Sequence, residues 1–179
     1  MIMVERPVSH RFAAIWGMSG VITIVLFAIV RLSPIVLSAL AVGLDALQWL
    51  VLVANVGFMA WSEGYRGFQL KFSPRVAARA LYLYREPTSS WIRFMAPLFC
   101  IGYFAASPRT RTIAWIGTIG IVVLVLLVHR LDQPWRGIID AGVVVGLTWG
   151  LISLIVWSVS VWRSGRYPVS PKVPGYNGD

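Results

Sequence analysis

Residues 12–30 read FAAIWGMSGVITIVLFAIV, an apolar run of 19 residues without a single charge. At a rise of about 1.5 Å per residue, a helix of this length just crosses a hydrocarbon core of about 30 Å. Residues 112–128, TIAWIGTIGIVVLVLLV, form a second run of the same kind. Because a helix satisfies its backbone polar groups internally, the two runs predict an all-α integral membrane protein.

The overall composition favours the same conclusion. Hydrophobic residues make up 58% of the chain and charged residues 13%, against a charged share of roughly 25% in soluble domains. The net charge is +9, and the basic residues lie between apolar runs, as they do in cytoplasmic loops. This pattern predicts contact with anionic lipid headgroups and does not indicate nucleic-acid binding. Arginine supplies 14 of the 16 basic residues, a usage typical of a GC-rich bacterial genome.

The hydropathy pattern predicts one helical membrane domain, residues 1–162, and a disordered tail rich in Pro, Gly and Ser, residues 163–179. Ser33-Pro34 is the expected cap and first turn of the second span. The domain is expected to contain four transmembrane helices, at about residues 12–30, 34–61, 112–128 and 138–162.

A basic loop, residues 62–90, separates the second span from a short apolar segment, residues 91–106. Within the loop, Pro74–Arg85 has the spacing of a short amphipathic helix lying on the membrane surface. Its Arg75 and Arg79, together with Arg66 and Lys71, are the expected contacts with anionic lipid.

The segment 91–106 leaves two topologies open. If it is re-entrant, the four spans place 13 basic residues inside and 3 outside; if it spans, five helices place 10 inside and 6 outside. The positive-inside rule favours four spans with both termini in the cytoplasm, whereas a run of 16 residues is nearly long enough to cross. We expect a multi-pass protein of the inner membrane, with five spans as the alternative.

Three glycines, Gly142, Gly146 and Gly150, recur every four residues in the last span. Such a stripe leaves one helix face bare, so that another helix can approach closely. The stripe predicts helix packing, and the partner is either another span of this chain or another protein.

Polar residues inside predicted spans are the candidates for a functional site. Asp45 lies about eleven residues into the second span, Gln48 follows one turn later, and Asp140 begins the last span. An ionised carboxylate at the centre of a bilayer costs about 2.5–3.5 kcal/mol on insertion scales, so an intramembrane acid is either paired or functional. If Asp45 and Asp140 converge, they form a small cation or proton site.

No pattern indicates catalysis or a cofactor. Gly17-Met18-Ser19-Gly20 matches the GxSG string of rhomboid-type intramembrane proteases, but neither His10 nor His129 lies within a span to act as the base. A single cysteine and two separated histidines do not predict a zinc or haem site. The chain also lacks a glycine-rich phosphate loop.

These observations favour a non-enzymatic accessory or assembly subunit that packs against a membrane partner, either another membrane protein or a second copy. The alternative is a small transporter or ion- or proton-conducting oligomer that uses Asp45 and Asp140.

Overall fold

The computed structural model describes residues 8–176. Residues 1–7 and 177–179, which belong to the predicted domain and tail, lie outside the described residues. Residues 8–176 contain helices and no strands: α1 Val8–Val42, α2 Ala46–Met59, a π-helix Ala60–Phe72, α3 Ser73–Arg85, α4 Ser90–Phe94, α5 Ala96–Ile101, α6 Pro108–Val128 and α7 Trp135–Ser164.

Three of these helices, α1, α6 and α7, are long and apolar enough to cross a membrane. The all-α class and the membrane-spanning character of the chain therefore agree with the expectation. The predicted ranges 112–128 and 138–162 fall within α6 and α7.

The boundary between the first two predicted spans is wrong. No turn forms at Ser33-Pro34; instead α1 continues through Pro34 to Val42. Proline removes one backbone donor, here the one that would bind the Val30 carbonyl, and membrane helices tolerate such a loss. The Ser33 hydroxyl donates to the Ile29 carbonyl at 2.7 Å, and Gln133 Nε2 donates to the Ile35 carbonyl at 3.2 Å.

The break comes instead at residues 43–45. Gly43 adopts a positive φ of 86°, a left-handed conformation that glycine reaches without steric penalty. Asp45 then caps α2. The range 34–61 is consequently divided between the end of α1, α2 and the first residues of the π-helix.

By its internal contacts the chain divides into two compact units. The described part of unit 1 comprises residues 8–23, 72–115 and 154–176, and unit 2 comprises residues 24–71 and 116–153. Unit 1 contains ten of the fifteen described basic residues and a single acid, Glu86. Unit 2 contains five basic and four acidic residues and is nearly neutral.

Unit 1 is built around α3. Nine of its thirteen residues are buried, so the expected helix lying on the membrane surface is instead part of a packed interior. The guanidinium of Arg79 is the centre of this core. Its Nε donates to the Phe99 carbonyl at 2.6 Å, its Nη1 to Pro171 at 2.8 Å, and its Nη2 to Phe104 and Ala105 at 3.0 and 2.9 Å.

The Arg79 guanidinium also stacks over the Phe99 ring, with 4.0 Å between its Cζ and the ring centroid. Burial lowers the pKa of Arg79 to about 10, so the group stays charged at neutral pH. Backbone carbonyls and an aromatic face therefore stabilise this cation. One side chain thereby joins α3, the end of α5, the following loop and the C-terminal tail.

The C-terminal tail is packed, in contrast to the expected disorder. Pro171 is fully buried, the Ser107 amide donates to the Lys172 carbonyl at 2.8 Å, and the Tyr176 ring packs edge-on against Tyr82. Arg85 Nη2 donates to the carbonyl of Gly165. These contacts hold the tail against unit 1 as far as Tyr176.

The segment 91–106 lies wholly within unit 1 and contains two short helices rather than one long one. α4 ends at Phe94, and α5 ends at Ile101, after which Gly102 adopts a positive φ of 105° and terminates the helix. At about 1.5 Å per residue, the six residues of α5 extend about 9 Å, far less than a bilayer.

Arg79→Lys tests the role of the buried guanidinium. One ammonium cannot reach four carbonyls around a guanidinium plane, and each buried acceptor left unpaired costs about 1–3 kcal/mol. We expect a loss in the free energy of unfolding on the order of 3 kcal/mol, measured by thermal unfolding in detergent. The control is Arg109→Lys, at an exposed position on α6. Equal melting temperatures for the two variants would show that the carbonyl contacts do not hold unit 1 together.

Candidate functional site in the seam between the π-helix and α7

The glycine stripe of α7 is occupied by α2 and the π-helix of the same chain. A Cβ atom built on Gly146 would lie 3.2 Å from the side chain of Glu63, and one built on Gly150 would lie 2.5 Å from the ring of Phe68. The residue numbers of the contacting positions increase in the same direction along α7 and along α2 and the π-helix. The two segments therefore run parallel. We call this contact the seam; its residues are Asn55, Met59, Glu63, Phe68, Gly142, Gly146 and Gly150.

Hydrogen bonds fasten the seam at both ends. Asn55 Nδ2 donates to the carbonyl of Ile138 at 2.8 Å and to that of Ile139 at 3.2 Å. At the other end, Trp149 Nε1 donates to Gln69 Oε1 at 2.7 Å. In this chain, then, the predicted packing partner of the stripe is intramolecular.

Glu63 is the residue of the seam that sequence reasoning missed. It is half-buried against Gly146, and no hydrogen bond or ion pair joins its carboxyl to another residue within 8–176. The predicted span ended at Trp61, because Glu63, Arg66 and Lys71 lower the local hydropathy. The sequence feature that could have predicted this packing is the pair Ala60 and Gly64, two small residues four positions apart. In the structure, Gly64 is buried against Trp149.

Asp45 lies between two helices, at the start of α2, and not in the interior of a helix. It is exposed and forms a capping box at the start of α2, in which the Gln48 amide donates to Asp45 Oδ1 at 2.7 Å. In return, the Asp45 amide donates to Gln48 Oε1 at 3.0 Å. The two residues are neighbours, as their spacing predicted, but the pair satisfies backbone groups at a helix end.

The structure does not bring Asp45 and Asp140 together. Asp140 follows Ile139, whose carbonyl binds Asn55, and Asn55 lies ten residues beyond Asp45, or about 15 Å of helix. Asp140 is buried and lies 3.9 Å from Arg136 Nε, one turn earlier. The geometry therefore gives Asp45 and Asp140 separate local partners.

The four predicted lipid contacts have different environments. Arg66 and Lys71 are exposed, and the Arg66 guanidinium lies over the Trp61 ring at 5.0 Å. Arg75 is half-buried. Arg79 is fully buried, so its predicted contact with lipid headgroups is wrong for the folded chain. The helical spacing of α3 is as predicted, but the face that contains Arg79 packs into the core and not onto the membrane surface.

Ser19 and Cys100, the two nucleophilic side chains considered in the sequence, lie in ordinary structural surroundings. The Ser19 hydroxyl donates to the Trp16 carbonyl at 3.3 Å, and burial raises the pKa of the Cys100 thiol to about 12. A thiol with so high a pKa is a poor nucleophile at neutral pH. The described residues also contain no group of three His, Cys, Asp or Glu side chains able to hold a metal ion.

Helix α6 differs from α7 in how little of it is covered. All residues from 116 to 127 except Thr118 are exposed. A Cβ atom added to Gly117 or Gly120 would meet open space. The glycines of α7 are packed, whereas those of α6 are bare.

No family model matches the chain, and neither a curated protein nor a solved structure shows significant similarity to it.

Gly142→Ala tests the seam. The added methyl would collide with the Asn55 amide and push it from the Ile138 and Ile139 carbonyls. We expect the free energy of unfolding to fall by about 1–3 kcal/mol. The matched control is Gly57→Ala on α2, which adds the same methyl in open space.

Because alanine is a better helix former than glycine, Gly57→Ala should leave stability unchanged or raise it by up to about 1 kcal/mol. Thermal unfolding of the two variants in one detergent gives the comparison. A Gly142→Ala variant as stable as the control would mean that the seam is not tightly packed.

Proposed function

We propose that this chain is a non-enzymatic assembly subunit of a bacterial inner membrane, and that it binds a transmembrane helix of a partner through α6. The observation that supports the proposal is the bare surface of α6 over residues 116–127. Lipid covers an apolar helix of any sequence, so exposure alone does not argue for a protein partner. The glycines of α6 provide the further argument.

A Cβ atom added to Gly117 or Gly120 would meet no atom of residues 8–176 within 4 Å. Each glycine lowers helix propensity by about 0.8–1.0 kcal/mol relative to alanine. In membranes, helix interfaces are enriched in small residues, because these let two backbones approach closely. The pair, with the flanking Ile113 and Leu124, forms a face suited to a second helix. That helix belongs to another membrane protein or to a second copy of this chain.

We also propose that the chain crosses the membrane four times, with α2 and the start of the π-helix as the second crossing. The segment 91–106 begins and ends within unit 1, which argues against a fifth crossing. Unit 1 contains the described N-terminal residues, residues 72–115 and the tail, and it contains most of the positive charge. By the positive-inside rule, both termini belong in the cytoplasm.

The second candidate, a small transporter or ion- or proton-conducting oligomer that uses Asp45 and Asp140, has less support. Asp45 satisfies the first turn of α2, and Asp140 has Arg136 as its neighbour. A charge-carrying role in this chain would require a different carboxyl.

Reporter fusions test the topology. A fluorescent protein that matures only in the cytoplasm should fluoresce when fused after Tyr176, and it should stay dark when fused after Leu131 in the loop between α6 and α7. The reason is the basic charge of unit 1, which holds the tail on the cytoplasmic side. A dark fusion at Tyr176 would contradict four crossings and support five.

Gly120→Leu tests the partner surface. The added side chain meets open space in the isolated chain, so folding should be preserved while a close helix contact is blocked. We expect at least about a tenfold loss of the copurified or self-associated species, equivalent to about 1.4 kcal/mol of association free energy. Native gels and size exclusion in mild detergent measure this loss.

The control for Gly120→Leu is Val122→Leu, which places an additional methylene about 200° around the same helix. It should leave assembly intact. If both variants assemble like the wild type, α6 does not mediate association through its glycine face.

A further inference from the structure

We propose that the seam contains a proton-binding site within the membrane-spanning part of the chain, with Glu63 as the proton acceptor. The inference is independent of the role of α6, because it concerns a different pair of helices.

Depth is the first argument. Glu63 packs on Gly146, which lies eight residues after Ile138 and sixteen before Trp162. These separations correspond to about 12 Å and 24 Å along α7, so neither end of its apolar stretch is close. Glu63 also belongs to unit 2, the nearly neutral unit. A carboxylate at such a position is costly unless it is paired, hydrated or protonated.

Pairing does not account for Glu63. Asn55, the other polar residue of the seam, binds two carbonyls of α7, and Gln69, next to Phe68, accepts from Trp149. The π-helix contains two cations: Arg66, whose guanidinium lies over the Trp61 ring, and Lys71, which is exposed. On α7, the helix packed against Glu63, the charged residues are Arg136 and Asp140, which face each other near its start, and Arg163 in its last turn. With pairing absent within residues 8–176, the carboxyl is stabilised by water, by protonation or by both.

The glycine-stripe face of α7 also contains a buried polar group that could bind water. The Ser153 hydroxyl is buried and has no hydrogen-bond partner. Two other hydroxyls of α7, those of Thr148 and Ser158, each donate at 2.7 Å to the carbonyl four residues earlier. Ser153 lies seven residues, or two turns, beyond Gly146. A buried hydroxyl without a protein partner is a position at which an ordered water can bind.

The backbone around Glu63 is also unusual. The π-helix runs for thirteen residues, whereas π-helical backbone normally occurs as single turns and often at functional sites. It keeps the chain helical from α2 to α3, and Glu63 lies near its start, four residues after Met59, which packs on the same glycine stripe.

An apolar carbodiimide, dicyclohexylcarbodiimide, tests the proposal on the wild-type protein in its membrane. A protonated carboxyl adds across one C=N bond: its oxygen bonds to the central carbon and its proton moves to nitrogen. The resulting O-acylisourea rearranges by oxygen-to-nitrogen acyl transfer to a stable N-acylurea, with no group lost. Peptide mass spectrometry locates and quantifies the adduct.

We expect an adduct on Glu63 whose yield falls as pH rises, by about tenfold per unit once the carboxyl ionises. The yield should be unchanged in Asp45→Asn, at the exposed cap, and the adduct should disappear in Glu63→Gln. A water-soluble carbodiimide with glycine ethyl ester should modify Asp45 in preference to Glu63.

Three results would overturn the proposal. The first is no adduct on Glu63 at low pH while Asp45 reacts with the water-soluble reagent. The second is Glu63 as reactive as Asp45 towards that reagent, which would place it in bulk water. The third is protection of Glu63 by Na⁺ or K⁺ at constant pH and ionic strength, which would assign the site to a metal cation instead of a proton.

Discussion

Wherever a helix of this chain begins, ends or bends, backbone groups need partners, and an apolar chain has few side chains to supply them. Arg79 meets the largest of these needs, because four carbonyls from residues 99–105 and 171 converge on it. The break after α1 depends on the reciprocal bonds of Asp45 and Gln48. Ser33 and Gln133 donate to two further backbone carbonyls of α1, those of Ile29 and Ile35. Satisfying the backbone is therefore the main use of polar side chains in this structure.

This constraint changes how the polar residues of the spans are interpreted. An acid in an apolar stretch is a candidate for function only if the backbone does not already use it. Asp45 fails that criterion because it caps α2. Glu63 meets it, since its carboxyl has no partner within residues 8–176. The functional candidate is thus identified by which polar groups have partners, a property that hydropathy does not contain.

The sequence predicts most where each helix is uniform. The all-α class, α6 and α7 follow from long apolar runs, and their bounds differ from the expected ones by four residues or fewer. The sequence does not predict the environment of a polar side chain whose partners are distant along the chain. The acceptors of Arg79 lie 20 to 92 residues away in sequence, so its face on α3 resembles that of a surface helix. Asp45 was placed inside a span because its cap depends on the φ of Gly43, which hydropathy does not register.

The glycines of α6 and α7 show the same limit of sequence-based prediction. In sequence, the spacing of Gly117 and Gly120 is a weaker packing signal than the exact repeat of Gly142, Gly146 and Gly150. In the structure, Asn55, Glu63 and Phe68 of the same chain already occupy the stronger stripe. The weaker pair is open. A strong motif satisfied within the chain determines where Glu63 lies along α7, whereas the unsatisfied weak one marks the surface proposed for a partner helix. The proposed partner surface therefore follows from intramolecular occupancy and not from the strength of the motif.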